Sequence, residues 1–132
     1  MRALLVAAVA VALAGCGKKA TEATPHLKAI DQALRSAGFK LDTFAATSGG
    51  RFAATTCASG TLDGVEAVLC DFGDASASQA AKTAAEDWIA TAETGTVLTR
   101  AHTMLALADR HKADPNGKVI HRATKAYATL AE

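Results

Sequence analysis

Asp63-Gly64, set between Leu62 and Val65, is the feature that most limits how this chain can fold. A two-residue loop of this kind closes an antiparallel hairpin through a type I′ turn, whose two central residues both need positive φ. The loop fixes the register, so paired positions must sum to 127, and Cys57 and Cys70 satisfy that sum. Counting outward from the hydrogen-bonded Leu62–Val65 pair, the fifth step sets the cysteines opposite each other at a non-hydrogen-bonded site. There the α-carbons of a ladder lie about 4.5 Å apart, inside the range of about 4.4 to 6.8 Å that a disulfide spans. Turn chemistry and cysteine placement therefore predict one object, a cross-strand bridge closing a loop of about 14 residues and worth roughly 3 kcal/mol in the chain-entropy picture. The competing reading is a redox or metal-binding pair. The spacing is not Cys-x-x-Cys and no third or fourth ligand accompanies the thiols, so the structural bridge is preferred.

The same register sorts side chains onto two faces. Phe52, Ala54, Ala58, Leu62, Val65, Ala67 and Leu69 are expected on the side that meets helices. Thr55, Cys57, Ser59, Thr61, Glu66, Val68, Cys70 and Phe72 fall on a mixed second side. An antiparallel sheet with one covered face fits that alternation. Before the hairpin, Thr24-Pro25 reads as an N-cap with proline at the first helical position, and Leu27, Ile30, Leu34 and Ala37 recur at helical spacing up to the stop at Gly38. Phe39, Leu41, Thr43 and Ala45 alternate as a strand as far as the Ser48-Gly49-Gly50 turn, and a second strand is expected to start near Arg51. After Gly73-Asp74-Ala75-Ser76 an alanine-rich helix runs to about Ala92, with Trp88 as its core anchor and Gly95 beyond its end.

Residues 96 to 112 are compatible with a helix through Met104, Leu105 and Ala108, or with two strands around Arg100-Ala101. Thr96 and Thr99 favour the strands. Asp114-Pro115 opens a last helix with Val119, Ile120, Ala123, Tyr127 and Leu130 inward. The expected order is α-β-β-β-α-β-β-α, an α+β fold with a mainly antiparallel sheet of about five strands and helices packed on one face.

Composition has to be read by location. Of the 132 residues half are hydrophobic, but 13 of those sit in the first fifteen positions. Arg2, the unbroken apolar run Ala3 to Ala14, and the small residues Ala14 and Gly15 before Cys16 have the layout of an export signal. The run is about 12 residues long, too short for the ~20 that cross a bilayer. Leu13-Ala14-Gly15-Cys16 resembles the lipobox of bacterial lipoproteins. The resemblance covers the first 16 residues. It implies removal of residues 1 to 15, a diacylglyceryl thioether on Cys16, and acylation of the new amino group by fatty chains such as palmitate. Two or three chains on one residue hold a protein at a membrane durably. By the family's sorting rule Gly17, where an aspartate would retain the protein in the inner membrane, favours the periplasmic leaflet of the outer membrane. Gly17 to Thr24 then form a tether reaching no more than about 30 Å, and residues 25 to 132 form one small domain.

Without the first fifteen residues, Arg2 among them, the 14 basic side chains become 13 and balance the 13 acidic ones. A neutral body argues against nucleic-acid binding, which needs a basic surplus. The remaining length leaves no room for separate cofactor and substrate domains. His102, His111 and His121 share no close metal-ligand spacing and read as surface residues; Asp109-Arg110-His111 with Asp114 is a polar corner before a helix. Asp71-Phe72-Gly73 copies a kinase tripeptide without the surrounding kinase motifs. Ser48-Gly49-Gly50 lacks a nucleophile elbow, and Glu66, Glu86 and Asp87 show no opposed pairing.

No catalytic residue, cofactor or metal ligand is expected. The leading expectation is a non-enzymatic accessory lipoprotein with a protein partner in the envelope. The alternative is a small-molecule or lipid-binding module, its pocket between sheet and helices and Trp88 or Tyr127 in contact with the ligand.

Overall fold

The computed structural model describes residues 23–130; the expected export signal, Cys16 and most of the expected tether lie outside them. The elements are α1 (Pro25–Ser36), β1 (Leu41–Thr47), a 3-10 turn (Gly50–Phe52), β2 (Thr56–Leu62), β3 (Val65–Asp71), α2 (Ala75–Ile89), β4 (Thr94–Arg100), β5 (Thr103–Asp109) and α3 (Lys118–Ala128). This is the expected α-β-β-β-α-β-β-α order. The five strands form one sheet, β1-β2-β3-β5-β4, antiparallel at every pairing. Residues 96 to 112 are thus the hairpin, turning at Ala101-His102.

The hairpin behaves as its turn chemistry dictates. Asp63 and Gly64 have φ of 47° and 84°, and every β2–β3 pair from Thr56↔Asp71 to Leu62↔Val65 keeps the expected register. Cys57 and Cys70 are disulfide-bonded with α-carbons 4.0 Å apart. Asp63 also fastens the tip to the start of β1. Its N–H donates to the Lys40 carbonyl at 2.8 Å, and its carboxylate accepts the Lys40 N–H at 2.7 Å.

Helices cover both faces of the sheet, not one. α1 and α3 lie on the face made by Leu62, Val65, Ala67, Leu69, Leu105 and Leu107, where Leu27, Leu34, Ala123 and Tyr127 complete the core. α2 lies on the opposite face, over Val68, Cys70, Met104 and Ala106, with Ala81 and Ala85 against them. The physical reason is β5, whose seven residues are all buried. An apolar run such as Met104 to Ala108 has no solvent side, so it needs cover above and below.

Phe52 and Ala54 also change sides, packing with the α2 face. The 3-10 turn and Ala53, at φ 53°, interrupt the two-residue alternation, and β2 begins at Thr56 rather than near Arg51. α2 stops at Ile89, short of residue 92, and Gly95 belongs to β4, paired with Ala108. α3 starts at Lys118, three residues beyond Pro115. Asp114 nonetheless serves its N-terminus, its two carboxylate oxygens accepting the N–H groups of Val119 and Ile120 at 3.0 and 2.9 Å.

β1 carries a bulge between Asp42 and Ala45, with Thr43 at φ 53°. The opposing residue is Gly60, where a Cβ would overlap the Asp42 carbonyl oxygen and the Phe44 nitrogen. Glycine is required there because the bulged backbone presses onto the neighbouring strand.

Candidate functional site

Val65, Ala67 and Leu69 point into the α1/α3 core, and strand alternation carries the next inward position to Asp71. A carboxylate that is only 5% exposed needs partners, and three segments supply them. The N-cap of α1 is the first. Thr24 accepts the Leu27 N–H through its hydroxyl at 3.4 Å and donates that hydroxyl to Asp71 Oδ2 at 2.5 Å. His26, in the first turn of α1, places Nδ1 3.3 Å from the same oxygen. His102, in the β4–β5 turn, places Nδ1 2.7 Å from Asp71 Oδ1, and its backbone carbonyl accepts the Phe72 N–H at 2.8 Å. The imidazoles meet edge to face with ring centroids 4.3 Å apart.

Burial pushes the Asp71 carboxyl up. The hydrogen bonds from Thr24 and His102, with the charges of His102 and His26, outweigh it and hold the group below its ordinary value.

Beside this cluster a cavity of about 350 Å³ opens between α1, α3 and the β4–β5 turn. Ile30, Tyr127 and Leu130 make its apolar walls, and Arg100, His26 and His102 its polar side. Arg100 is steadied by donating to the Ala128 carbonyl at the end of α3, 2.6 Å away. Tyr127 is 1% exposed, and its hydroxyl lies 2.6 Å from Thr103 Oγ1, which donates to the Arg100 carbonyl at 2.9 Å. The tyrosine hydroxyl is therefore the donor to Thr103. Burial raises the Tyr127 phenol above its ordinary value, against smaller opposing effects of the Thr103 hydrogen bond and the Arg100 charge.

Trp88 is elsewhere. It is half-buried at the rim of the α2 face rather than at the centre of the core. The Arg110 guanidinium lies 4.5 Å from its ring centroid and binds Glu66, the Trp88 carbonyl and the Thr91 hydroxyl. Arg110 thus pins the C-terminal end of α2 to β3. The shallow depression beside Trp88 has a mixed lining, with Thr43, Ser59, Thr61 and Glu66 next to Ala67 and Val68.

Of the residues singled out in the sequence, Tyr127 lines the cavity and Trp88 does not. The polar corner is spent on backbone. Asp109 accepts the N–H groups of Ala113 and Asp114, both at 2.9 Å, while His111 faces Glu66 from an exposed position. The sequence reading missed His26, Asp71 and His102 as a group. The available signal was Asp71, an acidic residue on the inward positions of a strand, which predicts a partner without naming it. The chain matches no family model, no curated protein and no solved structure.

Proposed function

We propose that this chain is an envelope lipoprotein held to the membrane through a lipidated Cys16, in the periplasmic leaflet of the outer membrane where the bacterium has two. Its domain is a non-enzymatic module that binds a small amphipathic molecule with an acidic head. One observation carries the binding reading: the cavity between α1, α3 and the β4–β5 turn, with apolar walls of Ile30, Tyr127 and Leu130 and a basic side of Arg100, His26 and His102. At about 350 Å³ it lies near the lower end of the ~300 to 1,000 Å³ of small-molecule sites. It suits a compact apolar body rather than a long chain.

The test is native mass spectrometry of the full chain extracted in detergent from its own membranes, with thermal shift against carboxylates of increasing chain length. A bound small mass, or a shift that peaks at a short chain length, is expected. Both should vanish in Ile30→Trp, which fills the cavity from a half-buried position. A ligand-free protein that no amphiphile stabilises overturns the reading.

The second reading is an accessory module with a protein partner, and the outer edge of β4 favours it. That strand ends the sheet, and Val97 and Leu98 are only half-buried. Crosslinking in intact cells from a photoreactive residue at Thr96 should then capture one specific partner, and the absence of any specific product argues against it.

A further inference from the structure

Asp71, 5% exposed, is the centre on which Thr24, His26 and His102 converge. A carboxylate buried this deeply is costly unless a cation balances it. Both imidazoles present Nδ1, a potential metal-ligating atom, to Asp71. One ligating atom each from His26, Asp71 and His102 lie within 4.8 Å of one another. Two ligand atoms on one tetrahedral zinc sit about 3.4 Å apart, given metal–ligand distances near 2.1 Å; the His26 Nδ1 to Asp71 Oδ2 separation is already 3.3 Å, and His102 Nδ1, 2.7 Å from Oδ1, has only to draw back by roughly 0.7 Å. The Thr24 hydroxyl on Oδ2 orients the carboxylate from behind, as outer hydrogen bonds do for metal ligands.

We propose that His26, Asp71 and His102 bind one divalent transition-metal ion of the zinc type. Two neutral nitrogens and one carboxylate suit such an ion rather than calcium or magnesium, which take oxygen ligands. The ion takes the Nδ1 lone pairs while each ring keeps one proton on Nε2, so a neutral imidazole only changes tautomer and an imidazolium releases one proton to solvent. It ties three segments together: the first turn of α1, the end of β3 and the β4–β5 turn. Three protein ligands leave positions for water or a ligand group, and His26 and His102 also line the cavity. The site does not depend on the amphiphile reading, because the titration below contains none.

The test is calorimetric titration of chelator-stripped full-length chain in detergent with Zn2+, and visible absorption with Co2+. One ion per chain is expected, together with the intense bands of tetrahedral or five-coordinate cobalt. His26→Gln and His102→Gln should each weaken Zn2+ binding at least about 100-fold, and Thr24→Val about 10-fold, all with unchanged far-UV circular dichroism. His26 is 59% exposed at its side chain, so its substitution leaves the fold intact and the result readable. Absence of a saturable site, or equal binding by the two glutamine variants and the parent chain, overturns the proposal and leaves the cluster a set of hydrogen bonds.

Discussion

The two faces of the sheet bury their residues by different means. Toward α1 and α3 the core is made of large side chains, Leu27, Leu34, Leu62, Leu69, Leu105, Leu107 and Tyr127. Toward α2 the buried positions of the helix are alanines, Ala81 and Ala85, packed on Val68, Met104, Ala106 and the Cys57–Cys70 bridge, with Phe52 and Phe72 buried beside them. Alanines let a helix approach a sheet closely and fill the space between them. The cavity and the Asp71 cluster lie on the leucine-rich side, between α1, α3 and the β4–β5 turn. The covalent link belongs to the α2 side alone.

The sharpest way to break this contrast is to remove mass from the leucine face. Leu69→Ala, at a position with no exposure, should cost about 2 to 5 kcal/mol in urea unfolding. Cys57→Ser/Cys70→Ser attacks the other face and should cost roughly 3 kcal/mol. The loss should match that caused by reducing the bridge in the parent chain. A double-serine chain as stable as the parent would mean that the hairpin alone restricts the unfolded state.

The smallest effect probes the boundary between core and cavity. Tyr127→Phe deletes one hydrogen bond and should cost about 1 kcal/mol at neutral pH. Its signature is in alkali. A phenol whose folded value is raised contributes stability that is fully present below the unfolded value near 10 and lost as pH rises through the folded value. The parent chain should therefore lose stability above about pH 10 more steeply than the phenylalanine variant. Parallel curves would place the tyrosine hydroxyl in water.

Local chemistry made the hairpin legible. Asp63-Gly64 sets a turn type, the turn type sets the register, and the register sets the disulfide, all within about 14 residues. The second helical layer was legible in principle, because Met104 to Ala108 is too uniformly apolar for a strand with a wet side, yet alternation in β2 and β3 drew attention to a single covered face. Phe52 went to the wrong side because a 3-10 turn resets the alternation, and nothing in Ser48-Gly49-Gly50 distinguishes that turn from a simple reversal. The cluster of His26, Asp71 and His102 was not legible, since the residues are separated by 45 and 31 positions. Only the β3–β5 pairing brings the β4–β5 turn beside the end of β3. The cavity is a gap between two helices remote in sequence, and no local pattern encodes a gap.

The bulge in β1 bears on how copies of this domain can associate. Endless stacking of sheets, as in a fibril, requires each unit to offer a receptive strand at both ends. Here β1 kinks at Thr43, just after the charged pair Lys40 and Asp42, which breaks the straight row of donors and acceptors that an incoming strand needs. β4, at the other end, keeps its regular pairing geometry. A unit with one receptive end can join one neighbour and then stops. Assembly through sheet edges therefore terminates at a pair, which sets a geometric limit on polymerisation of the domain.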